Sequence, residues 1–234
     1  MASRTTRGSL EPGDHLTREE FERRYEAMPY IRKAELIEGV VYMPSPVRLK
    51  QHGSPNAVFI WWLTHYWACT PGVRVGDNTT VRLDLDNESQ PDGLMIREPS
   101  HGGRVVIGPR GYIESAPELV GEIAASSASF DLHTKLHVYR RNQVQEYVVW
   151  RVEDAVVNWF VLRQGDYAPL PLSPAGIYQS AVFPGLWLDA AALVRTDLPT
   201  VLRVLQEGIA SPEHAAFVAQ LQQAACRAQQ GQEG

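Results

Sequence analysis

The sequence predicts one α/β domain, from about residue 14 to residue 195, followed by a helical C-terminal extension over residues 200–234. Three observations carry that prediction. Short apolar runs such as Leu119–Ala125 and Glu146–Arg151 have strand length and are bounded by turn-forming residues. Other segments repeat apolar residues at helical spacing, among them Val58, Trp61, Trp62, His65 and Tyr66 after Ser54-Pro55. Finally, 234 residues suit one substantial domain with an appendage better than two ordinary domains.

Composition narrows the class. At 44% hydrophobic and 21% charged residues the chain reads as a soluble globular protein. Its longest apolar run, Val58 to Ala68, contains Thr64 and His65 and falls short of the ~20 residues that span a bilayer, so no membrane partner is expected. No apolar stretch follows Arg4 and Arg7, which argues against a cleaved secretory signal and for a cytoplasmic location. Cys69 and Cys226 are too few and too far apart for a disulfide framework or a Cys-rich zinc site. A net charge of −5 excludes a protein that coats nucleic acid by bulk electrostatics, while leaving room for a local basic groove.

In chain order, residues 1–13 are polar and read as a flexible arm. Thr17-Arg18-Glu19-Glu20 is a capping box that starts a helix ending before Pro29. Glu35 to Tyr42 reads as a hairpin with Glu38-Gly39 at its turn, closed by Pro44-Ser45-Pro46. Gly72 and Gly76 bracket a short strand. Val81, Leu83 and Leu85 alternate with polar residues as in a half-buried strand; Asp86-Asn87-Glu88-Ser89 has turn chemistry, and Leu94 and Ile96 continue the next strand on the side of Asp92. Pro99 to Gly111 holds four glycines and, with Arg97, Arg104 and Arg110, reads as a mobile loop able to bind nucleic acid near a cleft. Ser126 to Ser129 reads as a turn, after which Asp131 caps a helix carrying Leu132, Leu136 and Tyr139. Glu146–Arg151 and Ala155–Leu162 form a hairpin, with weaker strands near Tyr167 and Trp187. Ser211-Pro212-Glu213 opens a last helix with Phe217, Leu221, Ala224 and Ala225 on one face, which needs a partner in the domain or in a second copy; a homodimer is expected.

The chemistry concentrates between Pro91 and Lys135. Asp92 follows a proline at a strand start, and Glu122 interrupts an apolar strand in which an ionised group needs a partner or a metal. Lys135 arrives from the following helix. Two carboxylates beside an amine outline a metal-dependent phosphodiester hydrolase; the plainer alternative is a turn aspartate, a strand-edge charge and a solvated lysine. The chain has only three lysines, at 33, 50 and 135, among 22 basic residues, and an amine can orient or deprotonate a water where a guanidinium cannot deprotonate it. Glu35 is a candidate further acid, or a structural hairpin residue. His52 is a candidate phosphate contact, or a hydrogen-bonding group at a helix start. His133 and His137 stand one helical turn apart, but Thr-Lys-Leu between them lacks the glutamate of a zinc hydrolase motif, and no zinc role is expected.

Leu16–Phe21, Glu35-Leu36-Ile37-Glu38-Gly39, Met43-Pro44-Ser45-Pro46, His52, Pro91-Asp92, Leu119-Val120-Gly121-Glu122-Ile123, Asp131, Lys135, Tyr139 and Glu146-Tyr147 occur in one order and spacing. Together they resemble the Uma-type putative restriction endonuclease family of the PD-(D/E)XK nuclease superfamily, from about Leu16 to about Trp187. The resemblance implies a restriction-endonuclease-like core, a mixed sheet flanked by helices, with Mg²⁺ (or Mn²⁺ in its place) held by Asp92 and Glu122 and nucleic acid, DNA first, as substrate. The superfamily's usual lysine position is Ala124 here, and Lys135 takes its place from the helix. Two further departures are Gly93 after the aspartate, which loosens the strand, and Ala124-Ala125-Ser126-Ser127 in place of a Ser-Pro turn. The rival expectation is a nuclease fold retained as a catalytically inactive binding or assembly module; another phosphate ester as substrate is a third.

Overall fold

The structure, a computed structural model, describes residues 8–43, 48–125 and 127–230. Thr17 starts α1 (Arg18–Glu26) by accepting the Glu20 amide at 3.4 Å, while the Glu20 carboxylate turns to Arg23 and Arg24 instead of completing the capping box. Strands β1 (Glu35–Ile37) and β2 (Val40–Tyr42) form a hairpin in which Glu38 and Gly39 both have positive φ, 53° and 71°, as a type I′ turn requires. The arm expected over residues 1–13 is not free in its described part. Leu10 is buried with Phe21 and Leu36, and the Gly13 amide donates to Val41 O at 2.8 Å. Pro44-Ser45-Pro46 lies outside the described residues.

A π-helical turn, Leu49–Gly53, runs directly into α2 (Ser54–Ala68), so Ser54 is a helical residue and not the cap. Helix α2 buries Phe59, Trp62, Leu63 and Tyr66, and Trp62 Nε1 donates to Trp187 O at 3.1 Å, a packing role for this tryptophan. Next come β3 (Val73–Asp77), β4 (Val81–Asp84), β5 (Asn87–Ser89) and β6 (Gly93–Arg97). The turn falls at Leu85-Asp86, and Asn87–Ser89, expected as turn residues, form a buried strand. Their polar groups are satisfied there: Asn87 Oδ1 accepts the Glu38 amide at 2.9 Å, and Glu88 pairs with the equally buried Arg82 at 3.1 Å. Arg82 therefore breaks the alternation expected of β4.

A 3₁₀ turn, Pro99–His101, leads into the segment expected to be mobile, but Val105 and Ile113 are buried and Ile113 bridges both Ile107 and Val81. After β7 (Leu119–Ala124) the helical run divides into α3 (Ala128–Phe130), a second π-helical turn, Asp131–Lys135, and α4 (Leu136–Arg141). Asp131 thus sits within the run, not at its cap. Strands β8 (Glu146–Arg151), β9 (Val156–Arg163) and β10 (Asp166–Pro169) form an antiparallel meander, and β11 (Ile177–Gln179) pairs with β12 (Trp187–Asp189). Helices α5 (Ala190–Val194), α6 (Leu198–Ile209) and α7 (Pro212–Gln230) complete the described chain.

The main sheet has the order β10-β9-β8-β7-β6-β3, parallel only between β7 and β8, where the α3–α4 run makes the crossover that a parallel pair needs. A four-stranded antiparallel sheet has the order β2-β1-β5-β4. Alternate residues of β7 serve two cores: Leu119 and Ile123 face Phe59, Leu193, Leu205 and Phe217, whereas Val120 and Ala124 face Tyr139 and Tyr147. Because Phe217 and Leu221 of α7 enter the first core, the apolar face expected to seek a partner finds it within the chain. That removes the motive for the homodimer. Gly93 is a packing requirement, not a loosening. It pairs with Gly121 across β6 and β7, and a Cβ on Gly121 would lie 2.3 Å from the Phe59 ring that covers the pair.

Glu146 is fully buried at the start of β8, where Ser180 Oγ and the Ala181 amide each donate to it at 2.7 Å. Burial nevertheless dominates and pushes its carboxyl up to about 7 from 4.5. A carboxyl with a raised folded pKa takes up a proton on folding between those values, so stability falls as pH rises from 4.5 to 7 and levels off above. Glu146→Gln, which does not titrate, should flatten this part of the pH–stability profile. Urea melts at pH 5 and 8 check it, and an unchanged slope would refute it.

Candidate active site

Extending the Gly93–Gly121 pairing by one residue sets Asp92 opposite Glu122 on the face shared by Leu94 and Val120. Directly opposed residues of an antiparallel pair project to the same side. The Ile123 amide donates to Asp92 Oδ2 at 2.9 Å and fixes the aspartate beside the glutamate's strand. Glu122, 4% exposed, accepts at Oε1 from Lys135 Nζ at 2.9 Å and from Tyr139 OH at 2.9 Å. These two donors stand four residues apart on the same helical run, so both point to the same carboxylate. Lys135 Nζ also donates to Glu35 Oε1 at 3.0 Å, and the Gln90 amide donates to that oxygen at 2.8 Å. Asp131 stands nearby, held by Ser127 Oγ at 2.6 Å. Two more side chains reach Asp92: Lys33 Nζ at Oδ1, 3.1 Å away, and His52 Nε2 at Oδ2, also 3.1 Å.

A family model described as Uma2, putative restriction endonuclease, matches residues 18–191, about three quarters of the chain. The chain belongs to the Uma2 family. Its fold is similar to the crystal structure of a putative nuclease belonging to DUF820 from Anabaena variabilis, with a TM-score of 0.50 and 14% identity over 69% of this chain and 90% of that one. Among curated proteins none matches.

In this Uma2 protein the two opposed carboxylates have opposite electrostatic surroundings. Burial pushes Glu122 up to about 8, with Lys135 opposing the shift and Asp92 adding to it. Asp92 is nearly as buried, yet the His52 hydrogen bond, the Lys33 charge and the Ile123 amide hold it well below the usual carboxylate range. Burial works against the charge on Lys135, but Glu122, Glu35 and Asp131 outweigh it and raise its pKa well above the ordinary value. Neighbouring acids driven apart in this way are a common feature of sites that handle protons.

Among the described residues no three His, Cys, Asp or Glu side chains form a ready-made metal cage. Mg²⁺ does not need one, since it keeps several waters and takes one or two carboxylates together with substrate oxygens. Glu122 concentrates both its donors on Oε1, leaving Oε2 without a hydrogen-bond partner among the described residues. Carboxylate oxygens on this face fit a hard cation, and not the nitrogen and sulfur ligands of structural zinc. His133 and His137 take no part in the cluster.

The structure thus brings together Asp92, Glu122, Lys135, Glu35 and His52. It does not gather the three arginines. Arg97 ends β6 with Nε 3.8 Å from Glu118, Arg104 donates to Gln143 O at 2.8 Å, and Arg110 pairs with Glu26 of α1. Sequence reasoning missed Lys33, and it gave Tyr139 no role at the site. Lys33 was open to discovery: it is one of three lysines and stands two residues before Glu35.

Tyr139→Phe leaves Glu122 Oε1 with Lys135 alone. The expected loss is about 1 kcal/mol, the usual net worth of one intramolecular hydrogen bond, read from urea unfolding. No loss would mean that the phenol is not holding the carboxylate.

Proposed function

We propose that this chain is a Mg²⁺-dependent endonuclease that hydrolyses phosphodiester bonds of nucleic acid, DNA first, at the Asp92–Glu122–Lys135 cluster. Family membership supports a nuclease, and the observation that carries the finer reading is the pair of opposed carboxylates with the Lys135 ammonium between Glu122 and Glu35. Hydrolysis requires a water oxygen to bond to phosphorus while the bond to the leaving sugar oxygen breaks. When bound, Mg²⁺ supplies charge neutralisation at the phosphoryl oxygens and acidifies a water. Asp92 and Glu122 would hold it. Lys135 spends two hydrogen bonds on Glu122 and Glu35, so one of its three donors remains for the attacking water or a phosphoryl oxygen. Glu35 positions that ammonium. Mn²⁺ is the expected substitute metal.

The second reading, an inactive module, is favoured by one observation: Asp92 already holds Lys33, His52 and the Ile123 amide on its two oxygens. Calorimetry and a plasmid-cleavage assay decide between the two. Asp92→Asn should abolish both Mn²⁺ binding and cleavage with little loss of fold, whereas Lys135→Ala, assayed below its melting temperature, should retain the metal and lose at least about 100-fold in turnover. A wild-type chain with no Asp92-dependent metal heat would favour the module.

Arg32, Arg48 and Lys50 are exposed, flank Lys33 and His52, and make no ion pair among the described residues. They support the contact surface for nucleic acid better than Arg97, Arg104 and Arg110, which are engaged with other parts of the protein. Arg48→Ser with Lys50→Ser should weaken duplex binding and lower the slope of log affinity against log salt by roughly 2, one for each cationic side chain removed from a phosphate. The same slope in variant and wild type would remove this surface from consideration.

A further inference from the structure

We propose that Lys33 is a built-in counterion that competes with a divalent cation for Asp92, so that release of Lys33 sets how tightly the site takes its metal. The inference rests on the reading of Asp92 and Glu122 as metal ligands, and deepens it. Lys33 Nζ sits 3.1 Å from Asp92 Oδ1 and 2.9 Å from Asn78 Oδ1, held between a charged and a neutral acceptor. The other aspartate oxygen is occupied by the Ile123 amide and His52. A cation arriving at Asp92 therefore meets an ammonium already on the oxygen that no backbone group holds.

The two lysines of the cluster differ in their freedom to leave. Lys135 is enclosed, its side chain 5% exposed, and donates to two buried carboxylates that would be stranded without it. The Lys33 side chain is 22% exposed and spans the distance between Asp92 and an exposed contact with Asn78. Its flexible stem can carry the charge into water at small cost. Charge counting points the same way. Four acid groups, Asp92, Glu122, Glu35 and Asp131, surround the two ammonium groups of Lys33 and Lys135, a set of oxygens in which a further positive charge is favoured. With Lys33 gone, the attraction for such a cation rises and its competitor is absent.

The test is Mn²⁺ titration of the full chain by calorimetry at fixed pH and salt. Lys33→Gln should bind Mn²⁺ about tenfold tighter than wild type, the scale of one charge-assisted hydrogen bond that metal entry no longer has to break. Lys33→Arg, which keeps the charge, should stay within about threefold of wild type on the same grounds. Should the glutamine variant melt below the assay temperature, Lys33→Met preserves the packed stem and is expected to behave as glutamine does. Each titration is repeated with Asp92→Asn. Binding that depends on Asp92 but is unchanged or weaker in the neutral Lys33 variants overturns the competition while leaving the proposed function standing. Absence of any Asp92-dependent binding in wild type and variants overturns both.

Discussion

The Lys135 ammonium is the group that the two sheets share. One of its hydrogen bonds goes to Glu35 on the four-stranded sheet and another to Glu122 on the six-stranded sheet, inside a core otherwise built from Val, Ile, Leu and Tyr. In such surroundings each member of the network is costly if unpaired, so the arrangement tolerates few alternatives. Tyr139 and the Gln90 amide supply the remaining donors to the two glutamates. The small sheet, the main sheet and the crossover helix are consequently held in one relation by polar contacts, and the candidate site lies at their junction.

Two of the side chains at that junction, His52 and Lys135, are carried on π-helical turns, Leu49–Gly53 and Asp131–Lys135. A π turn inserts an extra residue into helical winding and re-aims the side chains beyond it; it is rare, and it recurs at functional sites. In the first case it tips His52 back to the Asp92 carboxylate from a helix that otherwise packs against the main sheet. In the second it interrupts a run that already began at Ala128, and this is why Asp131 could not be the cap its sequence position suggested.

Much of the site was legible because its acids stand where the pattern has no other use for charge. Glu122 in an apolar strand and Asp92 after a proline stand out against their neighbours. Lys33 does not, since it lies on an irregular segment where a polar residue is ordinary. The fold was readable where apolar runs or helical spacing were clear, as in β7, β8 and α2, and misread where polar residues satisfy one another out of water. Asn87 and Glu88 look like a turn until Glu38, Arg82 and the burial of β5 are known. Likewise the glycines between residues 99 and 111 suggest mobility, while Ile113, two residues beyond, ties that segment to β4. Long-range partners of this kind leave no local mark on composition.

The glycine pair under Phe59 has a consequence for the opposite face of the sheet. With no side chains at Gly93 and Gly121, the ring rests on bare backbone and α2 lies close against β6 and β7. The standoff between helix and sheet is therefore fixed by two missing methyl groups, and the π-helical entry to that helix carries His52 around to Asp92. A methyl placed beneath the strands would lift the helix and swing His52 away from the aspartate. The reach of His52 to the acidic cluster is thus gauged from behind, by a phenyl ring and two glycines that carry no charge.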